Sequence, residues 1–194
     1  MEDFLQDQSA NLREEVGVAA VIKSLKDKIK DIELNVERYL ENEGDSSFVG
    51  RALLHAVNRA ITKGAKEVPL HSSSSHLEHI APQAENEEWA AALFGDDMDA
   101  RKDYDLVIGS IGNLTLLDQG LNQAAQRKPF LEKHVYYKPS TFDISRDLTE
   151  LPSWNAQNIK QRTKWLTECF EILWSIETQK TIPVRFTNWI ENGG

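Results

Sequence analysis

Cysteine is almost missing from this 194-residue chain, where Cys169 stands alone. That excludes an internal disulfide and any zinc cage built on paired cysteines, and it fits a reducing cytoplasm. Long apolar runs are missing too. None approaches the ~20 residues needed to cross a bilayer, so no membrane span is expected. The opening MEDFLQDQS is acidic and polar, unlike a signal peptide. No Gly-x-x-x-x-Gly-Lys occurs, so no P-loop nucleotide site is expected. Positive charge is scarce: 22 Lys and Arg stand against 31 Asp and Glu, for a net charge of −9. Such a balance argues against gripping nucleic acid by bulk electrostatics.

The charge deficit is uneven. Residues 1–50 hold twelve acids and six bases, whereas residues 51–70 hold one acid and four bases. Residues 118–138 set Asp118 and Glu132 against Arg127, Lys128, Lys133 and Lys138. Apolar residues at three- and four-residue spacing predict a long amphipathic helix over 17–42, with Ala20, Ile22, Leu25, Ile29, Ile32, Val36 and Leu40 on one face. A second helix is expected over 47–63, ended by Gly64. Residues 1–70 thus read as a helical N-terminal region that packs on or leads into the remainder.

In residues 71–194 the pattern changes. HSSSS at 71–75 reads as a loop, Leu77–Ile80 as a short strand stopped by Pro82, and 86–94 as a short helix. Residues 95–103 read as a charged surface loop. Val107–Leu117 reads as a strand with Gly112 inside it. A helix broken by Gly120 and Pro129 follows from Asp118 to about His134. A Ser/Thr/Asp-rich loop (139–153) leads to a last strong helix from about Trp154 to Ile176. The tail from Thr181, with Phe186, Trp189 and Ile190, is expected to dock.

Two stretches carry chemistry: Glu78-His79-Ile80-Ala81-Pro82-Gln83, and IGNLTLLDQGLN from Ile111 to Asn122. Phosphodiester hydrolysis needs a base for the attacking water and a cation to offset charge on the phosphorane and leaving oxygen. Histidine suits the first task. Carboxylate and amide oxygens suit a hard cation. Neighbouring side chains on a strand point to opposite faces, so Glu78 can serve the metal and His79 the water. Asn122 would return over the first strand, and Asn113 could tie down the loop between strands. Simpler roles exist for each: an ion pair with a nearby Lys or Arg for Glu78, a helix-surface amide or cap for Asn122, a turn for Gly112-Asn113. Arg127-Lys128 is a phosphate clamp or a solvated helix face. His71, His76 and His134 lie near the motifs, and His76 shares the strand face of Glu78.

The ordered set resembles an HNH nuclease with a ββα-metal site, and more narrowly the C-terminal domain of GmrSD-type restriction enzymes and related phage-defence nucleases. Pro129-Phe130-x-x-Lys133, Tyr136/Tyr137, Ser140, Trp154, Ile159, Arg162 and Leu166 fit that pattern, so the resemblance spans roughly residues 75–175. It implies an α+β, mainly helical fold: a ββα-metal core with a short two-stranded hairpin in a helical frame, residues 71–194 forming the nuclease domain. It implies His79 as general base, Glu78 and Asn122 as metal ligands, Asn113 in an orienting role and Lys133 as a phosphate contact. Glu78 departs from the aspartate common before the histidine by one methylene. The implied cofactor is a divalent metal, Mg or Mn, with no structural zinc. The implied activity is DNA endonuclease, nicking or cutting both strands, with an N-terminal sensing or NTPase domain as partner. Alternatives are a catalytically inactive HNH-like binding module or an RNase.

Overall fold

A computed structural model describes residues 47–63, 75–82, 87–94, 97–174 and 184–193, all within one compact unit. The helix expected over 17–42 and His71 lie outside the described residues. The first described helix, α1 (Ser47–Ile61), turns Leu54, Val57 and Asn58 inward at the spacing that makes one helical face. It ends where Thr62 bonds back to the Asn58 and Arg59 carbonyls and Lys63 takes a left-handed φ of 52°.

Two strands, β1 (Ser75–His79) and β2 (Leu114–Asp118), pair antiparallel, with Ser75 opposite Asp118 and His79 opposite Leu114. Leu114, Thr115, Leu116 and Leu117 are all buried, so β2 is covered on both faces. That explains why apolar residues stand at adjacent positions, Leu116 and Leu117, and not only at alternate ones. Thr115, the polar member, bonds its hydroxyl to that of Ser145 at 2.8 Å. The fold is α+β and mainly helical, with this pair as the sheet among the described residues.

Between the strands lie α2 (Glu87–Leu93) and α3 (Met98–Val107). The charged loop expected over 95–103 is therefore mostly helix. Asp97 caps it, accepting from the Asp99 and Ala100 amides at 2.9 and 3.1 Å. No α3 residue is buried, so apolar periodicity could not reveal it. The strand expected from Val107 shrinks to five residues for the same reason at its start: Val107 closes a helix. Ile111–Asn113 then form a 3₁₀ turn before β2 begins. Gly112 lets that turn approach Ile159 and Thr163 closely, since a Cβ there would stand 2.2 Å from Thr163 Oγ1 and 2.3 Å from the Ile159 carbonyl oxygen.

The divided helix after Asp118 is α4 (Gln119–Ala125) and α5 (Phe130–Tyr137). Gln126 breaks them with φ of 45°, and Pro129 occupies the cap position of α5, where a missing N–H costs nothing. The expected loop over 139–153 contains α6 (Asp143–Arg146) and a 3₁₀ turn (Asp147–Glu150), pinned by buried Phe142, Ile144 and Leu148. Next comes α7 (Ala156–Trp174), opened by a reciprocal cap in which Asn155 and Asn158 each accept the other's amide at 3.0 Å. Its inner face holds Ile159, Arg162, Trp165, Leu166 and Phe170. The tail docks as α8 (Phe186–Glu191), with Phe186 against Trp165 at 5.5 Å between ring centres. Among the described residues no helix is long and apolar enough to cross a membrane.

Candidate active site

Strand alternation divides β1 as its sequence implies. Glu78 is buried, and His79, on the opposite face, is half-buried at the strand end. Glu78 meets the ammonium of Lys133, which reaches in from α5 at 2.6 Å with its side chain fully enclosed. The same ammonium donates to the carbonyls of His79 and Ile80 at 2.8 and 3.0 Å. Tyr137, one helical turn further, donates its hydroxyl to the same Glu78 oxygen at 3.4 Å. Burial raises the Glu78 carboxyl above its ordinary range, and the Lys133 charge and hydrogen bond pull it part of the way back. Burial lowers Lys133 against the pull of Glu78. Removing either partner alone would strand a buried charge, at a cost of about 3–5 kcal/mol.

Asn113 is fully buried and its amide is used on both sides. The Oδ1 accepts from the Ala81 amide at 2.9 Å and the Trp154 indole at 3.2 Å. The Nδ2 donates to the carbonyls of Ala81 and Ile108 at 2.8 and 3.0 Å. The Asn113 carbonyl also accepts from the Ile80 amide at 2.9 Å. The segment leaving His79 is thus locked to the turn before β2. Arg162, buried in α7, clamps that turn by donating to the carbonyls of Gly112 and Leu114, on either side of Asn113. Burial pulls its guanidinium down to about 10.

Asn122, half-buried on α4, donates through Nδ2 to the Leu77 carbonyl at 3.2 Å, so its amide lies against the peptide that leads into Glu78. Arg127 is exposed and Lys128 half-buried in the α4–α5 turn, with the Lys128 ammonium 5.6 Å from the Tyr136 ring centre. Trp89 fixes this turn, donating its indole N–H to the carbonyls of Arg127 and Lys128 at 3.2 and 3.1 Å. His134 stands edge-on to Phe130, and His76 is half-buried on the Glu78 face.

The structure therefore gathers Glu78, His79, Asn122 and Lys133 around the end of β1 and sets Asn113 directly behind them. It places Lys133 away from solvent, with three donors already used on the protein, and Arg127 and Lys128 at the surface. Glu78 makes the ion pair that its sequence context left open. Tyr137, Trp154 and Arg162 are the supporting residues whose tasks the sequence pattern did not spell out. Their partners lie 41 or more positions away, so only the fold reveals them.

A divalent cation needs oxygen donors. Among the described residues no three His, Cys, Asp or Glu side chains cluster to hold one. Two oxygens are nonetheless suited to it. Lys133 and Tyr137 both use Glu78 Oε1, and Asn122 bonds through Nδ2, so Glu78 Oε2 and Asn122 Oδ1 carry no hydrogen bond among the described residues. One carboxylate and one amide, completed by water and phosphate, fit magnesium-type coordination.

An antiparallel strand pair feeding a helix, with a histidine at the end of the first strand and an asparagine returned from the helix, is an arrangement suited to phosphodiester chemistry. The chain belongs to the family of GmrSD restriction endonuclease C-terminal domains, whose sequence profile matches residues 10–169. The match starts well before the motif-bearing part, so the N-terminal region is included in it. No curated protein and no solved structure matches the chain.

Proposed function

We propose that this chain is a metal-dependent DNA endonuclease of the HNH type, the cutting part of a restriction or phage-defence protein that acts in the cytoplasm. The observation that carries the reading is the division of labour at the end of β1. His79 is half-buried on one face, Glu78 is oriented on the other, and Asn122 is hydrogen-bonded to the Leu77 carbonyl, on the peptide that leads into Glu78. His79 takes the proton of the attacking water. Glu78 and Asn122 hold the cation, Mg or Mn, which when bound offsets charge on the phosphorane and leaving oxygen. Asn113 keeps the chain after His79 in place. Arg127 and Lys128 contact the DNA backbone from the α4–α5 turn. Net charge of −9 supports a division in which an N-terminal sensing or NTPase domain supplies recognition, and this chain has low sequence preference of its own.

His79→Ala is expected to abolish nicking of supercoiled plasmid in Mg²⁺ or Mn²⁺ without changing the far-ultraviolet spectrum. Nicking at the wild-type rate by that folded variant would overturn the reading. A second reading is favoured by one observation: Glu78 already has a cationic partner in Lys133. On that reading the domain is an inactive HNH-like binding module, and calorimetry would detect no Mn²⁺ bound at Glu78.

A further inference from the structure

Lys133 touches both sides of the proposed chemistry. Its ammonium has three hydrogens. They go to Glu78 Oε1, to the carbonyl of His79 and to the carbonyl of Ile80, at 2.6, 2.8 and 3.0 Å. Tyr137 adds a second donor to Oε1 at 3.4 Å. A buried ammonium must satisfy all three hydrogens, and the two that Glu78 does not take are spent on consecutive carbonyls, those of His79 and Ile80. This one fixes the carboxylate and the exit of the strand together. It leaves Oε2 as the carboxylate oxygen without a bond among the described residues.

Resting on the reading of Glu78 as a metal ligand, we propose that Lys133 is a positioning residue that makes Glu78 a one-oxygen ligand. Oε1 stays with the ammonium and Tyr137, and Oε2 alone is offered to the cation. The ammonium also sets a positive charge beside the cation site, which holds metal affinity down in the free protein. The DNA phosphate then supplies the missing negative oxygen, so metal and substrate complete the site together.

The test is Mn²⁺ binding to the full chain, followed through the paramagnetic resonance of the free ion at constant neutral pH, with and without a short DNA duplex. Lys133→Met keeps the length and removes the charge. In the absence of DNA it is expected to bind Mn²⁺ about tenfold more tightly, since repulsion and the hold on Oε1 are both gone. It is also expected to nick supercoiled DNA about a hundredfold more slowly, because the carboxylate is no longer aimed. A lysine with only a structural role would leave Mn²⁺ affinity unchanged or lower in the folded variant, and that result overturns the proposal. Glu78→Gln separates the two readings. If it binds Mn²⁺ like wild type, Glu78 is no ligand and both readings fall. If it weakens binding while Lys133→Met does not strengthen it, the positioning role alone falls. Where Lys133→Met does not fold, the wild type answers by infrared difference spectra with and without Mn²⁺. One-oxygen binding widens the gap between the antisymmetric and symmetric carboxylate stretches of the band that Glu78→Gln removes. A narrowed gap means both oxygens bind, and refutes the proposal.

Discussion

Gly112 lies so close to α7 that a single methyl group would meet a side-chain oxygen at 2.2 Å and a backbone oxygen at 2.3 Å. Backbone cannot step aside, so Gly112→Ala must push the 3₁₀ turn or α7. Overpacking of this kind costs about 1–3 kcal/mol or more. Gly120, in α4, has open space where its Cβ would be. There alanine restores helix propensity, worth up to about 1 kcal/mol. The two substitutions are therefore expected to move the melting temperature in opposite directions in calorimetry, Gly112→Ala down and Gly120→Ala up. Both glycines sit in the same twelve-residue stretch, and only the fold tells them apart. Motif spacing singled out His79, Asn113 and Asn122, and the fold places them on or against β1 and the turn before β2. The Lys133–Glu78 pair was not, since its members are 55 positions apart and meet only through α5. The sequence offered Glu78 an ion pair with a nearby Lys or Arg without naming which one.

At the scale of elements, apolar pattern revealed what the core requires and missed what solvent permits. The last helix announced itself through its buried apolar face, whereas the strand with Glu78 buries Ser75 and Glu78 and leaves Leu77 half-buried. Helix α3 has no buried residue and relies on its ends and on exposed ion pairs such as Lys160 with Asp103 at 3.0 Å. Tyr104 also ties it to the Pro82 carbonyl at 3.1 Å. Loss of the Asp97 cap costs about 1 kcal/mol. Asp97→Ala is accordingly expected to speed amide hydrogen exchange through residues 98–107 several-fold while leaving the exchange of β2 unchanged. Equal acceleration in both would mean that α3 unfolds only with the whole molecule.

For the whole molecule, burial sets the response to acid. His55 and His134 are held below their ordinary value of 6.5, chiefly by desolvation. His55 Nε2 lies 2.7 Å from Ser75 Oγ, and Arg51 adds repulsion to its protonated form. As pH falls below about 6.5, the unfolded chain takes up protons that the folded one declines, so stability drops. Glu78 and Asp147, raised by burial, act in the opposite sense in the more acid range above the ordinary carboxylate values. Melting temperature is thus expected to fall between neutral pH and the mid-fives, and His55→Gln/His134→Gln to flatten that slope. An unchanged slope would remove both histidines from the account. The acidic charge balance, legible from composition alone, is carried largely by residues 1–50, which hold twelve acids and six bases.

The pairing of β1 with β2 has a kinetic consequence. Residues 80–113 intervene between partners that must meet before Glu78, His79 and Asn113 share one location. Closing so long a loop is slow compared with winding the flanking helices. During synthesis the helices can form while the candidate site is still in pieces. A nascent chain would therefore hold its helices before Glu78, His79 and Asn113 come together.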